Sequence, residues 1–172
     1  MIRTVVLVAT LLVAQEAAAT QITFHNNCNF NLDLQHSQSG SGWRSIANFP
    51  KGKSHTFDAN GPAHAFRHGG SDQSTLAEFS IPAGQPWYDI SIIPPAPGNC
   101  NSYENCRQVT GRSGFNVGMR IEPKSNLNGA NCRALNCPVY DKGACGDAYL
   151  FPDDKKTHDC PGGTNFNVVF CP

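Results

Sequence analysis

The 172-residue sequence lacks an excess of charge of either sign: thirteen Lys and Arg balance thirteen Asp and Glu. With no basic run, nothing favours nucleic acid or an anionic membrane as a partner. An uncharged polymer or another protein suits a neutral surface better. Beyond residue 19 no stretch of twelve or more residues carries a 3.6-residue apolar period, which argues against a helical or parallel α/β fold. No second long apolar run follows the N-terminal one, so no transmembrane segment or lipid-anchor tail is expected. No Asn-x-Ser/Thr acceptor occurs, and no Gly-x-Ser-x-Gly elbow of a serine hydrolase.

Cysteine is plentiful instead. Eight are present, at positions 28, 100, 106, 132, 137, 145, 160 and 171. All lie after a short leader: Met1-Ile2-Arg3 is a positive start, Thr4 to Ala14 is mostly apolar, and Ala17-Ala18-Ala19 offers small residues for cleavage after Ala19. Residues 1–19 therefore read as a signal peptide and 20–172 as one secreted domain. In an exported chain of this size an even cysteine count reads as four disulfides, with connectivity left open by the count. The first half holds only Cys28, so it must cohere by packing.

Short alternating segments run through residues 20–172, punctuated by Pro and Gly. Ile22–His25 alternates, Asn26-Asn27 reads as a turn, and Phe30, Leu32 and Leu34 alternate again, which predicts a half-buried hairpin. Further strands are predicted at 45–49, 54–57, 63–68, 76–81, 87–92, 115–121, 148–151 and 166–170. Pro94–Ser113 breaks the pattern with Pro, Gly and Asn, and reads as a protruding loop pinned by a local Cys100–Cys106 bridge. The whole predicts a sandwich or barrel of short strands.

Several segments, in order, resemble the thaumatin-like proteins (pathogenesis-related group 5, the osmotin/thaumatin family). They are Thr75-Leu-Ala-Glu-Phe-Ser80, Tyr88-Asp-Ile-Ser91, Gly114-Phe-Asn-Val117, Cys145-Gly-Asp-Ala-Tyr149 and the terminal block Cys160–Pro172. Ile22–Cys28 is similar to the first strand and first cysteine of that family. The resemblance implies an all-β, antiparallel β-sandwich stapled by four disulfides. It pairs Cys28 with Cys171, Cys132 with Cys160 and Cys137 with Cys145, leaving Cys100 with Cys106. This chain departs from the plant pattern in three ways. No cysteine lies between Cys28 and Cys100, the second disulfide-rich region shrinks to Pro138–Ala144, and Pro94–Ser113 is inserted. A small, single-domain type, expected as a monomer, results.

The family's acidic cleft is associated with β-glucan binding, and the resemblance carries over Glu78, Asp89 and Asp147. The Arg position holds Ser71, with Arg67 the nearest candidate, and a further Asp is replaced by Ser113. The implied partner is a cell-wall polysaccharide, β-1,3-glucan, in a defensive, antimicrobial or wall-remodelling role. Two alternatives stand beside it. Glu78 and Asp89 could serve as the carboxyl pair of a weak endo-β-1,3-glucanase, given a separation of about 5 or 6.5–9.5 Å. The Pro94–Ser113 loop could inhibit a secreted glycosidase such as a xylanase, as in some short relatives.

Exposed rings also bind sugars. Of Trp43, Trp87, Tyr88 and Tyr103, Trp43 and Tyr103 sit in loop sequence and are the expected contacts, while Trp87 and Tyr88 border a buried-looking strand. The six histidines read as surface or hydrogen-bonded groups. His64 and His68, though spaced i, i+4, lie outside a helix, and no metal or cofactor is expected.

Overall fold

The computed structural model describes residues 19–139 and 145–172. The predicted leader, apart from Ala19, and Tyr140–Ala144 of the shortened region lie outside the described residues. The strands are β1 (Thr20–Asn26), β2 (Leu32–Gln38), β3 (Arg44–Phe49), β4 (Ser54–Ala59), β5 (Gly61–His68) and β6 (Leu76–Ile81). They continue with β7 (Trp87–Ser91), β8 (Met119–Pro123), β9 (Leu135–Cys137), β10 (Ala148–Tyr149), β11 (His158–Asp159) and β12 (Phe166–Phe170).

Among the described residues these form two sheets. One runs β4-β1-β12-β8-β9; the other runs β10-β7-β6-β5-β2-β3, with β11 also on β7. Period-2 alternation makes each strand one-sided. Ile22 and Phe24 of β1 and Phe166, Val168 and Phe170 of β12 point inward, meeting Leu32, Leu34, Phe66, Phe79 and Ile90 of the other sheet. Phe24 and Phe66 meet across the interface at 4.7 Å between ring centroids, and Phe79 and Phe166 at 5.3 Å. Aromatic burial of this kind is the main stabilising term of the sandwich.

Most pairings are antiparallel, but β1 with β12 and β7 with β10 are parallel, so the sheets are mixed. The predicted β1–β2 hairpin does not form. β1 pairs with β4 and β12, β2 with β3 and β5, and the intervening chain crosses from one sheet to the other. Buried Asn26 shapes that crossing. Its Nδ2 donates to the carbonyls of Phe30 (2.8 Å) and Phe49 (2.9 Å), and its Oδ1 accepts from the Cys28 N–H (2.9 Å). Alternation tells which face is buried, not which neighbour a strand takes.

The disulfides join Cys28 to Cys171, Cys100 to Cys106, Cys132 to Cys160 and Cys137 to Cys145. The inserted segment is more ordered than a loop. It holds a helix, α1 (Tyr103–Thr110), capped by Ser102, whose hydroxyl accepts from the Asn105 N–H at 3.2 Å, and closed by Gly111 at φ 64°. Eight residues are too few to show a helical period in sequence. The predicted strand at 115–121 begins only at Met119. A Cβ on Gly114 would stand 2.3 Å from the Ile92 carbonyl, and one on Gly118 2.2 Å from that of Pro138. Chain packed that closely on neighbouring backbone requires glycine.

Candidate carbohydrate-binding cleft

The outer face of the β10-to-β3 sheet carries the site. Cross-strand register places Ser37 (β2), Ala65 (β5), Glu78 (β6) and Asp89 (β7) in one row. Their chain neighbours Phe66, Phe79, Tyr88 and Ile90 point into the core, so the row faces outward by alternation. Small side chains beside the two acids leave a hollow of about 500 Å³, walled also by Trp87, Tyr149 and His64.

Glu78 and Asp89 are directly opposed on neighbouring antiparallel strands and hydrogen-bonded to each other. Burial pushes Asp89 up to about 8, aided by the Glu78 charge and the hydrogen bond between them. Burial also raises Glu78, partly offset by the bond from Asp89. Two like charges held this close cannot both ionise at neutral pH, so the pair retains one proton. Asp89 Oδ1 is buried with no hydrogen-bond partner among the described residues. Such a pair presents both donor and acceptor capacity, matching the hydroxyls of a neutral sugar.

The other predicted residues lie elsewhere. Arg67 shares the outward face, in the neighbouring row opposite Gln35, but does not line the hollow. It is 6 % exposed, its Nη2 donates to the Gly70 carbonyl at 3.1 Å, and the Trp43 ring lies 3.9 Å from its guanidinium carbon. Trp43 is therefore a cover for Arg67. Asp147 accepts from Arg133 Nη2 (2.7 Å) and the Asn136 N–H (3.0 Å), tying its segment to β9. Burial opposes its charge, but these partners outweigh it and hold the carboxyl below its ordinary range. Tyr103 is buried at the start of α1, with the Arg107 guanidinium 5.8 Å from its ring.

The aromatics that do wall the cleft are Trp87 and Tyr149. Trp87 was legible: two residues before Asp89 on one strand, it must share that face. Tyr149 lies in β10, within the strand expected at 148–151, but two residues are too few to show which way its ring faces. His64 is engaged on both nitrogens, with His36 Nε2 (3.1 Å) and the Asn60 carbonyl (2.9 Å). Among the described residues no group of three His, Cys, Asp or Glu is placed to hold a metal, and every cysteine is in a disulfide.

Comparison with known proteins places the chain among relatives of one family. A thaumatin-like protein of Oryza sativa subsp. japonica is 33% identical over 196 aligned residues, covering 98% of this chain and 93% of the rice protein. The chain belongs to the thaumatin-like family. No protein-family model matches the sequence. Two solved structures share the thaumatin-like fold at low identity. The protein elicitor MoHrip2 from Magnaporthe oryzae superposes with a TM-score of 0.60 at 20% identity, over 90% of this chain and all of that one. The thaumatin-like xylanase inhibitor TLXI does so with 0.56 at 17%, over 88% and 99%. In this thaumatin-like chain, of the residues expected to form an acidic cleft, only Glu78 and Asp89 line the hollow, while Asp147 is held by Arg133 and Asn136 and Arg67 by Gly70. No helix among the described residues is long and apolar enough to cross a membrane.

Proposed function

We propose that this protein is secreted, its first nineteen residues removed, and that its cleft binds a neutral cell-wall polysaccharide, β-1,3-glucan, in a defensive or wall-remodelling role. The observation that carries the reading is the directly opposed Glu78–Asp89 pair lining a hollow of about 500 Å³ beside an exposed Trp87. A neutral sugar chain offers hydroxyls to the pair and apolar ring faces to the indole, and needs no cation from the site. Co-sedimentation with insoluble β-1,3-glucan at neutral pH and moderate salt tests it. Retention that is lost in Glu78→Ala is expected; a protein that stays in the supernatant refutes glucan as the ligand. N-terminal sequencing of the exported protein should begin at Thr20.

A glucanase activity would use the same two residues. The two carboxyls are directly opposed across one strand pair and interact with each other, which favours a binding role over hydrolysis. Reducing-sugar release that disappears in Glu78→Gln would reverse that order. One feature favours inhibition of a secreted glycosidase as a second reading: the inserted segment is capped and clasped, and carries Val109 60 % exposed on α1. Inhibition of a xylanase or glucanase that vanishes when residues 94–113 are shortened would establish it.

A further inference from the structure

Trp87 is an unusual surface residue. Its side chain is 41 % exposed and lines the cleft, and no aromatic or cation contact engages its ring among the described residues. Its backbone, by contrast, is held from both sides, by Ser80 of β6 and Asp159 of β11. Just before it, the Pro86 carbonyl accepts from the N–H of disulfide-bonded Cys160 at 3.0 Å. A large apolar ring left in water on so fixed a support is a preformed contact surface.

Tyr149 occupies the opposite end of the same hollow. It lies beside Ser91 on the parallel β10, and its hydroxyl meets Thr157 Oγ1 at 2.6 Å, which orients the ring. Trp87, Asp89 and Ser91 share one face of β7, so the stretch from the indole to the Tyr149 level spans about 13 Å of strand. The carboxyl pair lies midway. That length exceeds a single pyranose ring.

We propose that Trp87 and Tyr149 are two ring platforms of one oligosaccharide site, stacking separate pyranose rings of a neutral chain on either side of the Glu78–Asp89 pair. The inference rests on the reading of the cleft as a saccharide site and adds the minimum length of its ligand. One sugar cannot reach both rings while touching the carboxyls, so a monosaccharide is a poor ligand and a chain running along β7 a good one. Trp43, laid over Arg67, takes no part.

Titration calorimetry with β-1,3-gluco-oligosaccharides of one to six units tests this, with a β-1,4-xylo-oligosaccharide series as a second arm. Affinity should rise with chain length until both rings are covered and then level off. Trp87→Ala and Tyr149→Ala should each weaken hexasaccharide binding about 3- to 10-fold, with Trp87→Phe and Tyr149→Phe recovering most of it. In a Trp43→Phe background, Trp87 emission should shift on adding the hexasaccharide. Length-independent affinity, or a Trp87→Ala variant of unchanged melting temperature that binds as wild type, overturns the platforms even if the protein sediments with glucan. Length- and Trp87-dependent binding of the xylo series alone upholds the platforms and refutes glucan. No binding of either series overturns the inference.

Discussion

Between Cys28 and Cys100 the chain builds six strands of five to eight residues with no internal disulfide. Between Pro123 and Phe166 the described residues form three strands of two or three residues, and two disulfides span them. The first region buries Leu32, Leu34, Phe66, Phe79, Tyr88 and Ile90 against the opposing sheet. The second contributes Leu135 and Ala148 but few large side chains. Long alternating strands that meet an aromatic core need no cross-link; short strands cannot bury enough and are held by cross-links. The cleft takes its carboxyl pair from the packed region and Tyr149 from the stapled one. The two strategies therefore meet at the site.

The Cys28–Cys171 bridge joins the packed region to the last strand, with a sequence separation of 143. Cys28→Ala/Cys171→Ala should cause the largest loss, about 5 kcal/mol on chain entropy. Chemical denaturation should show both regions unfolding together at lower denaturant. If only residues 123–166 lose protection, the packed region owes nothing to the bridge and the two regions are stabilised independently.

Next come two variants of about 3–5 kcal/mol that act on opposite sides of the comparison. Phe66 is fully buried, with its ring near those of Phe24, His36, Phe57 and Phe79. Phe66→Ala should raise amide exchange throughout both sheets. Cys132→Ala/Cys160→Ala should raise it mainly across residues 124–165. Exchange that spreads equally in both variants would break the comparison.

Much of this division is legible in the sequence, because cysteine positions and alternation are local signals. Ile22–His25, Leu76–Ile81 and Phe166–Phe170 announce one-sided strands, and motif resemblance alone places Glu78 with Asp89. Partner choice is not local, which is why the expected β1–β2 hairpin proves to be a crossing built on Asn26. β9 and β11, of three and two residues, are too short to stand out from their loops, whereas β10 falls within the strand expected at 148–151. Exposure fails in the same way: Trp43 in a Ser/Gly loop reads as a free ring, and only the tertiary fold lays it on Arg67.

Smaller effects come from buried ionisable groups, both in the packed region. Burial, aided by His64 and Arg44, lowers His36 from 6.5 to about 4. Its unfolded form binds a proton first, so stability falls as pH drops from about 6.5 to 4, by up to about 3 kcal/mol. The carboxyl pair has the opposite sign. Asp89 is raised from 3.8 to about 8, so its contribution is most favourable at low pH and is lost as pH rises through 8. The two oppose each other below 6.5, and only the pair acts above it. Melting temperature should therefore change little between about pH 4 and 6.5, where the two slopes cancel, and decline from there to about pH 8. Asp89→Asn should flatten the alkaline decline while weakening saccharide binding. An unchanged alkaline decline in that variant would mean that the site imposes no stability cost on the packed region.

The smallest effect belongs to Cys100–Cys106, whose sequence separation of 6 closes a short loop around the start of α1. Chain entropy sets a ceiling of about 2 kcal/mol for so short a loop, and the segment has other ties. Ser102 and Gly111 cap the helix, Tyr103 and Cys106 are buried, Arg112 pairs with Asp72 at 2.8 Å, and the Ser113 N–H donates to Gln73 at 3.0 Å. In Cys100→Ala/Cys106→Ala the sandwich should therefore melt within a few degrees of wild type, while limited proteolysis cuts faster between residues 94 and 113. A global loss as large as that from Cys132–Cys160 would instead make the insert part of the stapled region. Faster cutting without loss of saccharide binding would separate the insert from the cleft, as expected for a segment that contributes no residue to its walls.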